Sequence, residues 1–197
     1  MTKRPGTGNK KSLPGQLRIV AGNWRSRLLE IADVPGLRPT SERVRETLFN
    51  WLAPRIEGAR CLDLFAGTGA LGLEALSRLA AETVFVEKSS SAIQALERNI
   101  ETLGATGATV VEGDARTFLA SAKPRLFDIV FLDPPFSADL LDELCRLVAG
   151  SGVLVPDARV YLEQDRAQPP PELPPGWKTL REKTAGQVRY SLIEVSV

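Results

Sequence analysis

An acid at the end of an apolar run, followed by two prolines and an aromatic ring, is the part of this sequence best equipped for chemistry: Phe127-Asp-Ile-Val-Phe-Leu-Asp133-Pro134-Pro135-Phe136. Val130, Phe131 and Leu132 read as a buried strand. Pro134 has no N–H to give to a ladder, so the strand stops at Asp133. A carboxylate at the carboxyl end of a strand lies where open α/β sheets bind their ligands. Pro134 and Pro135 stiffen the turn and aim the Pro134 carbonyl, and Phe136 offers a flat face. Together the four residues make a pocket for a planar ring carrying an amine, with two oxygens to accept its N–H groups and a ring to stack on.

A second constellation surrounds a glycine turn. Leu62-Asp63-Leu64-Phe65-Ala66-Gly67-Thr68-Gly69-Ala70-Leu71-Gly72 reads as a strand, a loop and a helix start. Gly67 and Gly69 permit the turn and the close approach of a ligand, and Gly72 lets helix and strand pack tightly. The pattern matches a dinucleotide fingerprint, and Glu87 follows at about the spacing of a ribose-binding acid. Asp63 argues for a different ligand. Its charge would repel a pyrophosphate and attract a cationic amine. Asp114 is placed to accept from an adenine amino group or to cap the next helix. One acid at each successive strand end describes a site for a nucleoside with a positive tail; Phe65, Thr68, Lys88 and Ala115 complete its lining.

These strand ends must be held by a sheet, and the pattern supplies one. Strands are expected at 60–64, 82–87, 108–112, 127–132 and 158–163, with helices near 70–79, 89–102, 115–121 and 138–149. Such alternation predicts an α/β fold built on a doubly wound, mostly parallel sheet. The Pro169–Pro175 stretch can be neither helix nor central strand and is read as a stiff surface loop. Beyond it, 177–183 and 188–195 flank Thr184-Ala-Gly-Gln187 as a closing antiparallel hairpin, making seven strands. Upstream, 16–21 and 27–31 read as a small N-terminal β-hairpin around Gly22-Asn23-Trp24-Arg25-Ser26. A helix over 41–53 follows, capped by Thr40 or Ser41, with Val44, Leu48, Trp51 and Leu52 on one face. The expected organisation is a disordered basic tail (1–15), a hairpin extension (16–36) and a main domain (37–197).

Composition prunes the alternatives. The chain has 197 residues, 43% of them hydrophobic, and no histidine, which removes His-based triads and His-containing zinc sites. Cys61 and Cys145 sit in strand-like and helical runs as small core residues, without metal-clip spacing, and no metal is expected. Without an apolar run of bilayer length or a signal-like N-terminus, the protein is expected in the cytoplasm. The charge is uneven: 12 Lys/Arg against 5 Asp/Glu through Arg60, and 13 against 19 thereafter. A basic segment containing Arg18, Arg25, Arg27, Arg38, Arg43 and Arg45 points to a polyanionic partner. Trp24 beside Arg25 either stacks on that partner or covers the core; Trp51 and Trp177 read as packing residues.

The acids, the glycine turn and Asp133-Pro-Pro-Phe136 resemble the class I S-adenosylmethionine-dependent amino-methyltransferases. In these enzymes a closing antiparallel hairpin distinguishes the sheet from that of dinucleotide enzymes. Four segments are more closely similar to the RsmD family of 16S ribosomal RNA guanine-N2 methyltransferases acting at guanine 966. These are Arg18–Arg25, Leu37–Trp51, Asp63–Ser77 and Glu182-Lys-Thr-Ala-Gly-Gln-Val188. The resemblance covers about Gln16 to Val195. It implies that Asp63, Gly67, Thr68, Gly69, Glu87 and Asp114 line a cofactor site, with Glu87 on the ribose hydroxyls. It further implies that Asp133, Pro134, Pro135 and Phe136 hold the target base and that the N-terminal hairpin faces RNA. The implied substrate is a partly assembled 30S subunit, met by a monomer. Adenine N6 in DNA, a glutamine side chain, an NAD-dependent oxidoreductase and a silent RNA-binding module are the competing readings.

Overall fold

Alternate residues along each central strand enter two different cores, so the sheet must be covered on both faces. In the computed structural model, which describes residues 15–32, 40–121, 126–136 and 140–196, strand β6 (Phe127–Leu132) shows this directly. Its Ile129 and Phe131 join a core with Cys61, Phe85 and Tyr161, whereas Val130 and Leu132 join another with Leu62, Val84 and Val160. From Ile129 to Leu132 the sides alternate and every residue is buried, the mark of a strand buried twice over.

The remaining elements of this domain are β3 (Arg60–Asp63), α2 (Ala70–Ser77), β4 (Glu82–Glu87), α3 (Ser90–Leu103), β5 (Ala108–Glu112), α4 (Ala115–Ser121), α5 (Leu141–Gly150), β7 (Leu154–Asp165), β8 (Trp177–Ala185) and β9 (Val188–Val195). The seven strands lie in the order β5-β4-β3-β6-β7-β9-β8. The ladder is parallel from β5 to β7, and β9 pairs antiparallel with both β7 and β8. The sheet reverses direction of growth between β3 and β6, and this switch point brings Asp63 and Asp133 to neighbouring strand ends.

Helix α1 (Glu42–Leu52) is capped by Ser41, whose Oγ accepts from the Val44 N–H. That leaves Thr40 free for another task. Ser89 caps α3 in the same manner, and Gly104 ends it at φ 60° with its N–H on the last-turn carbonyls. Trp51 is half-buried and stacks on Tyr190 at 5.4 Å; Trp177, Cys61 and Cys145 are buried.

The N-terminal hairpin pairs β1 (Gln16–Arg18) with β2 (Leu28–Glu30), shorter than its sequence suggests. The missing rungs have gone elsewhere. Val20 and Ala21 donate their N–H groups to Glu74 of α2, and Trp24 donates to the Ser77 hydroxyl. Gly22, at φ +81°, lies so close to α2 that a Cβ there would overlap the Ser77 carbonyl. Leu17, Ile19 and Leu29 belong to the same core as α1, α2 and α3, and half-buried Trp24 packs over it. Strand β7 starts four residues earlier than its apolar run predicts. Leu154 pairs with Phe127, and the register then shifts across a break at Asp157, whose φ is +60°. Pro156 and Asp157 disguise this start as loop.

Candidate active site

Asp133 ends β6 half-buried, and the Thr40 hydroxyl donates to its Oδ2 at 3.0 Å. Its Oδ1 has no hydrogen-bond partner among the described residues. Burial pushes the carboxyl up to about 6 against the opposing pull of the Thr40 hydrogen bond. Pro134 is buried, Pro135 exposed and Phe136 half-buried. Gln168 holds Phe136 by donating to its carbonyl at 2.9 Å. Gln168 is itself fixed: its carbonyl accepts from Gln164 and from Arg189 at 2.9 Å. The proline-rich loop thus becomes one wall of a cleft that also contains Pro134, Pro135, Phe136 and Glu163.

On the neighbouring strand, Asp63 is closed off from solvent, and its Oδ2 accepts the Gly72 N–H at 3.1 Å. This buried bond ties the end of β3 to the first turn of α2. Burial, together with the charges of Asp133 and Glu87, raises Asp63 to about 7 despite the backbone N–H groups of Gly72 and Phe65. A cation placed nearby would relieve this crowding. Glu87 bridges β4 and the glycine loop: Oε2 accepts the Gly67 N–H at 2.8 Å, and Oε1 those of Lys88 and Ser89. A carboxylate has about four lone-pair sites, so hydroxyls can still bind there. Asp114 caps α4 by accepting the Arg116 N–H on Oδ1 at 2.9 Å and stays half-buried. Capping and ligand binding are compatible, because its second oxygen remains. Ala115 and Thr68 are buried, Phe65 is half-buried and Lys88 is exposed.

The glycines divide by task. Gly69 sits at φ +93°, and a Cβ there would come within 2.7 Å of both Leu73 and Leu96. Gly72 faces the Phe85 ring, as expected of a close helix–strand contact. Packing as well as ligand access therefore demands glycine at 69.

Sequence reading missed the polar framework behind these groups. Buried Arg45 donates to the Thr40 carbonyl, to the Arg18 carbonyl and to Glu74. Asn99 joins Glu30 of the hairpin to the Thr68 carbonyl of the glycine loop. Both hairpin strands are thereby fastened beside the site, β1 next to Thr40 and Asp133, β2 next to the loop. A glutamate within an otherwise apolar helix (Leu71, Leu73, Ala75, Leu76 around Glu74) was the available signal, since a charge there needs a buried partner.

The model of the family described as Conserved hypothetical protein 95 matches residues 17–194. The chain belongs to this family. It is 51% identical over 180 residues to ribosomal RNA small subunit methyltransferase D of Escherichia coli (strain K12), covering 91% of this chain and 90% of that protein. The Haemophilus influenzae protein of the same name is 42% identical over 91% of this chain and 94% of its own length. Among solved structures, a putative methyltransferase yhhF from Escherichia coli superposes with a TM-score of 0.86 at 47% identity, covering 92% of this chain and 99% of that one.

Within this family fold, the arginines of the basic segment are placed unequally. Arg25 and Arg43 are exposed. Arg27 is exposed but donates to the Thr102 carbonyl of α3 at 2.8 Å. Arg18 is half-buried and lies 3.8 Å from Glu42. Arg38 lies outside the described residues, as does most of the basic tail. Among the described residues no cluster of acids, cysteines or histidines could hold a metal, and no helix is long and apolar enough to cross a membrane.

Proposed function

We propose that this protein is an S-adenosylmethionine-dependent methyltransferase that modifies the exocyclic N2 amine of a guanine in 16S ribosomal RNA, at guanine 966. Its substrate is an assembling 30S particle, and it acts as a cytoplasmic monomer. The observation that carries the reading is Asp133: an anchored carboxyl with one oxygen open, one strand away from the glycine loop. When bound, S-adenosylmethionine supplies a methyl group on a cationic sulfur that is a good leaving group. Asp63, Gly67, Thr68, Gly69, Glu87 and Asp114 would hold it, and the crowded acids Asp63, Glu87 and Asp133 fit a positively charged ligand.

The chain's own part is orientation and charge. Guanine N2 is a weak nucleophile because its lone pair is delocalised into the ring. The open oxygen of Asp133 and the Pro134 carbonyl accept its two N–H groups, which draws the nitrogen towards a tetrahedral form. Phe136, braced by Gln168, stacks on the base, a contact worth roughly 1–3 kcal/mol on single-strand platforms. Positioning and preorganised electrostatics supply the main part of such catalysis. The base must leave its stack to arrive, which is cheapest from a loop.

Incubation with methyl-labelled S-adenosylmethionine and separate RNA, DNA and protein fractions tests this reading. Label is expected in 16S ribosomal RNA, on a single guanine N2 by mass spectrometry; label confined to DNA or protein would refute it. Neutralising Arg25, Arg27 and Arg43 together is expected to weaken RNA binding and to reduce the slope of log affinity against log salt by roughly 2, near 0.7 per lost phosphate contact on single strands. A slope equal to that of the unaltered protein would remove those arginines from the interface.

A further inference from the structure

Two carboxyls, not one, stand where the substrate base is held. Leu132 of β6 pairs with Leu162 of β7, so Asp133 and Glu163 lie side by side at the next rung of strands about 4.8 Å apart. Phe131 and Tyr161, two residues earlier, meet edge-on at 6.4 Å in one core. Side chains alternate along a strand, so Asp133 and Glu163 continue those two columns on the same face of the sheet. Glu163 also borders the cleft formed with Pro134, Pro135 and Phe136.

Glu163 is only 4% exposed, yet its hydrogen bonding is incomplete. The Tyr161 hydroxyl donates to Oε2 at 2.7 Å, and no arginine or lysine among the described residues pairs with the carboxyl. Oε1 has no partner. It is not sealed inside the core either, since no fully buried side-chain oxygen among the described residues lacks a hydrogen bond. An enclosed carboxyl with one oxygen fixed and the other open repeats the arrangement of Asp133. A poorly solvated acceptor of this kind costs free energy until a donor reaches it.

Resting on the methyltransferase reading above, we propose that Glu163 is a specificity-determining residue: its open oxygen accepts the N1–H of the target guanine, while Asp133 and the Pro134 carbonyl accept the two N–H groups of N2.

Guanine carries these three donors side by side, two on N2 and one on N1, and the three acceptors match them. Strand β3 and its glycine loop lie on one side of β6, and β7 lies on the other. A base whose N2 sits at Asp133 and whose ring is directed away from the cofactor therefore extends towards Glu163. Asp133 and the Pro134 carbonyl ask only for an amine. Glu163 adds the distinction between bases, because an aminopurine with an unprotonated N1 sets a lone pair against the carboxylate and leaves both groups unpaired. Enzymes that extrude a base commonly read it on this edge. Burial first, and the Asp133 charge second, push the Glu163 carboxyl up to about 8. An N–H donor and the cationic cofactor both act against that push and favour the carboxylate.

The test uses 30S particles reconstituted with 16S ribosomal RNA that carries either guanine or 2,6-diaminopurine at the methylated position. Diaminopurine keeps the 2-amine and lacks the N1–H. Methyl transfer from labelled S-adenosylmethionine gives kcat/KM on each particle, and the ratio of the two is the readout. The unaltered protein is expected to prefer guanine by about 100-fold, since a site built to pair a donor rejects the analogue without it. In Glu163→Gln that ratio is expected to fall below about 10-fold, because an amide can offer either an acceptor or a donor to N1. The different intrinsic reactivities of the two amines are common to both proteins and cancel in the comparison. A Glu163→Gln ratio equal to that of the unaltered protein, whatever the change in thermal midpoint, would leave Glu163 as no more than a partner for Tyr161 and overturn the proposal. Equal methylation of both particles by the unaltered protein would overturn it without any variant. Failure of the unaltered protein to methylate the guanine particle would instead strike the functional reading on which the proposal rests.

Discussion

Replacing Asp133 with alanine is expected to lower methyl transfer by about 10²–10³-fold while changing cofactor affinity by no more than about threefold, the magnitude seen when a single preorganised electrostatic contact to a transition state is removed. The side chain offers one oxygen to Thr40 and leaves the other open, so its loss removes the acceptor that draws the substrate amine out of conjugation. The fold is not at risk from this change. Asp133 pushes both Asp63 and Glu163 upward, and its removal relieves two buried acids of an unfavourable neighbour. A thermal midpoint equal to or above that of the unaltered protein is therefore expected alongside the lost rate. Acidification should reproduce the defect. Asp133 is raised to about 6 and accepts an N–H far more strongly as the carboxylate, so the rate falls as pH drops through that value. A bound cation would favour the ionised form and move this limb lower. Turnover of the alanine variant close to that of the unaltered protein would end the assignment of Asp133.

Much of this site was readable because its parts are local. Strand β6, with its acid and two prolines, is fixed within ten residues by the missing proline N–H. Strands β4 and β5 begin and end where their β-branched runs do. Helix α2 was expected to reach residue 79 but stops at Ser77, since Leu79 turns out at φ +74° and sits exposed. Residues 137–139, where α5 was expected to begin, lie outside the described residues. The illegible part is long-range and polar. Thr40 could be read as a cap; its bond to Asp133 spans 93 residues of sequence, and nothing at residue 40 announces it. Asn99 and Gln168 look like ordinary polar positions on a helix and in a loop, yet each braces one half of the site. Hydrophobic period fixes which face is buried, whereas a buried polar partnership depends on the tertiary approach of two segments.

The largest effect on stability is expected at Glu74, a residue remote from the chemistry in sequence and fully buried in the fold. Its carboxylate accepts the N–H groups of Val20 at 2.8 Å and Ala21 at 3.0 Å, and it pairs with Arg45 at 3.2 Å and Arg78 at 2.8 Å. Glu74→Ala leaves the fully buried Arg45 without a counter-charge and frees two hairpin N–H groups that no longer pair across their own strands. Breaking a buried ion pair on one side costs about 3–5 kcal/mol. For a domain of this size that corresponds to a fall of roughly 6–20 °C in the thermal midpoint. Glu74→Gln keeps one carbonyl acceptor and nearly the same volume, so it is expected to lose less. Arg45→Met combined with Glu74→Leu removes both charges and is expected to recover part of the loss, the hairpin N–H groups limiting the recovery. The same network explains why the damage would reach the reaction. Arg45 grips the carbonyls of Arg18 and Thr40, so a hairpin cut loose from Glu74 also loosens the hydroxyl that orients Asp133. A Glu74→Ala protein that melts within about 2 °C of the unaltered one would show that the hairpin is held by its apolar residues Leu17, Ile19 and Leu29 rather than by this carboxylate.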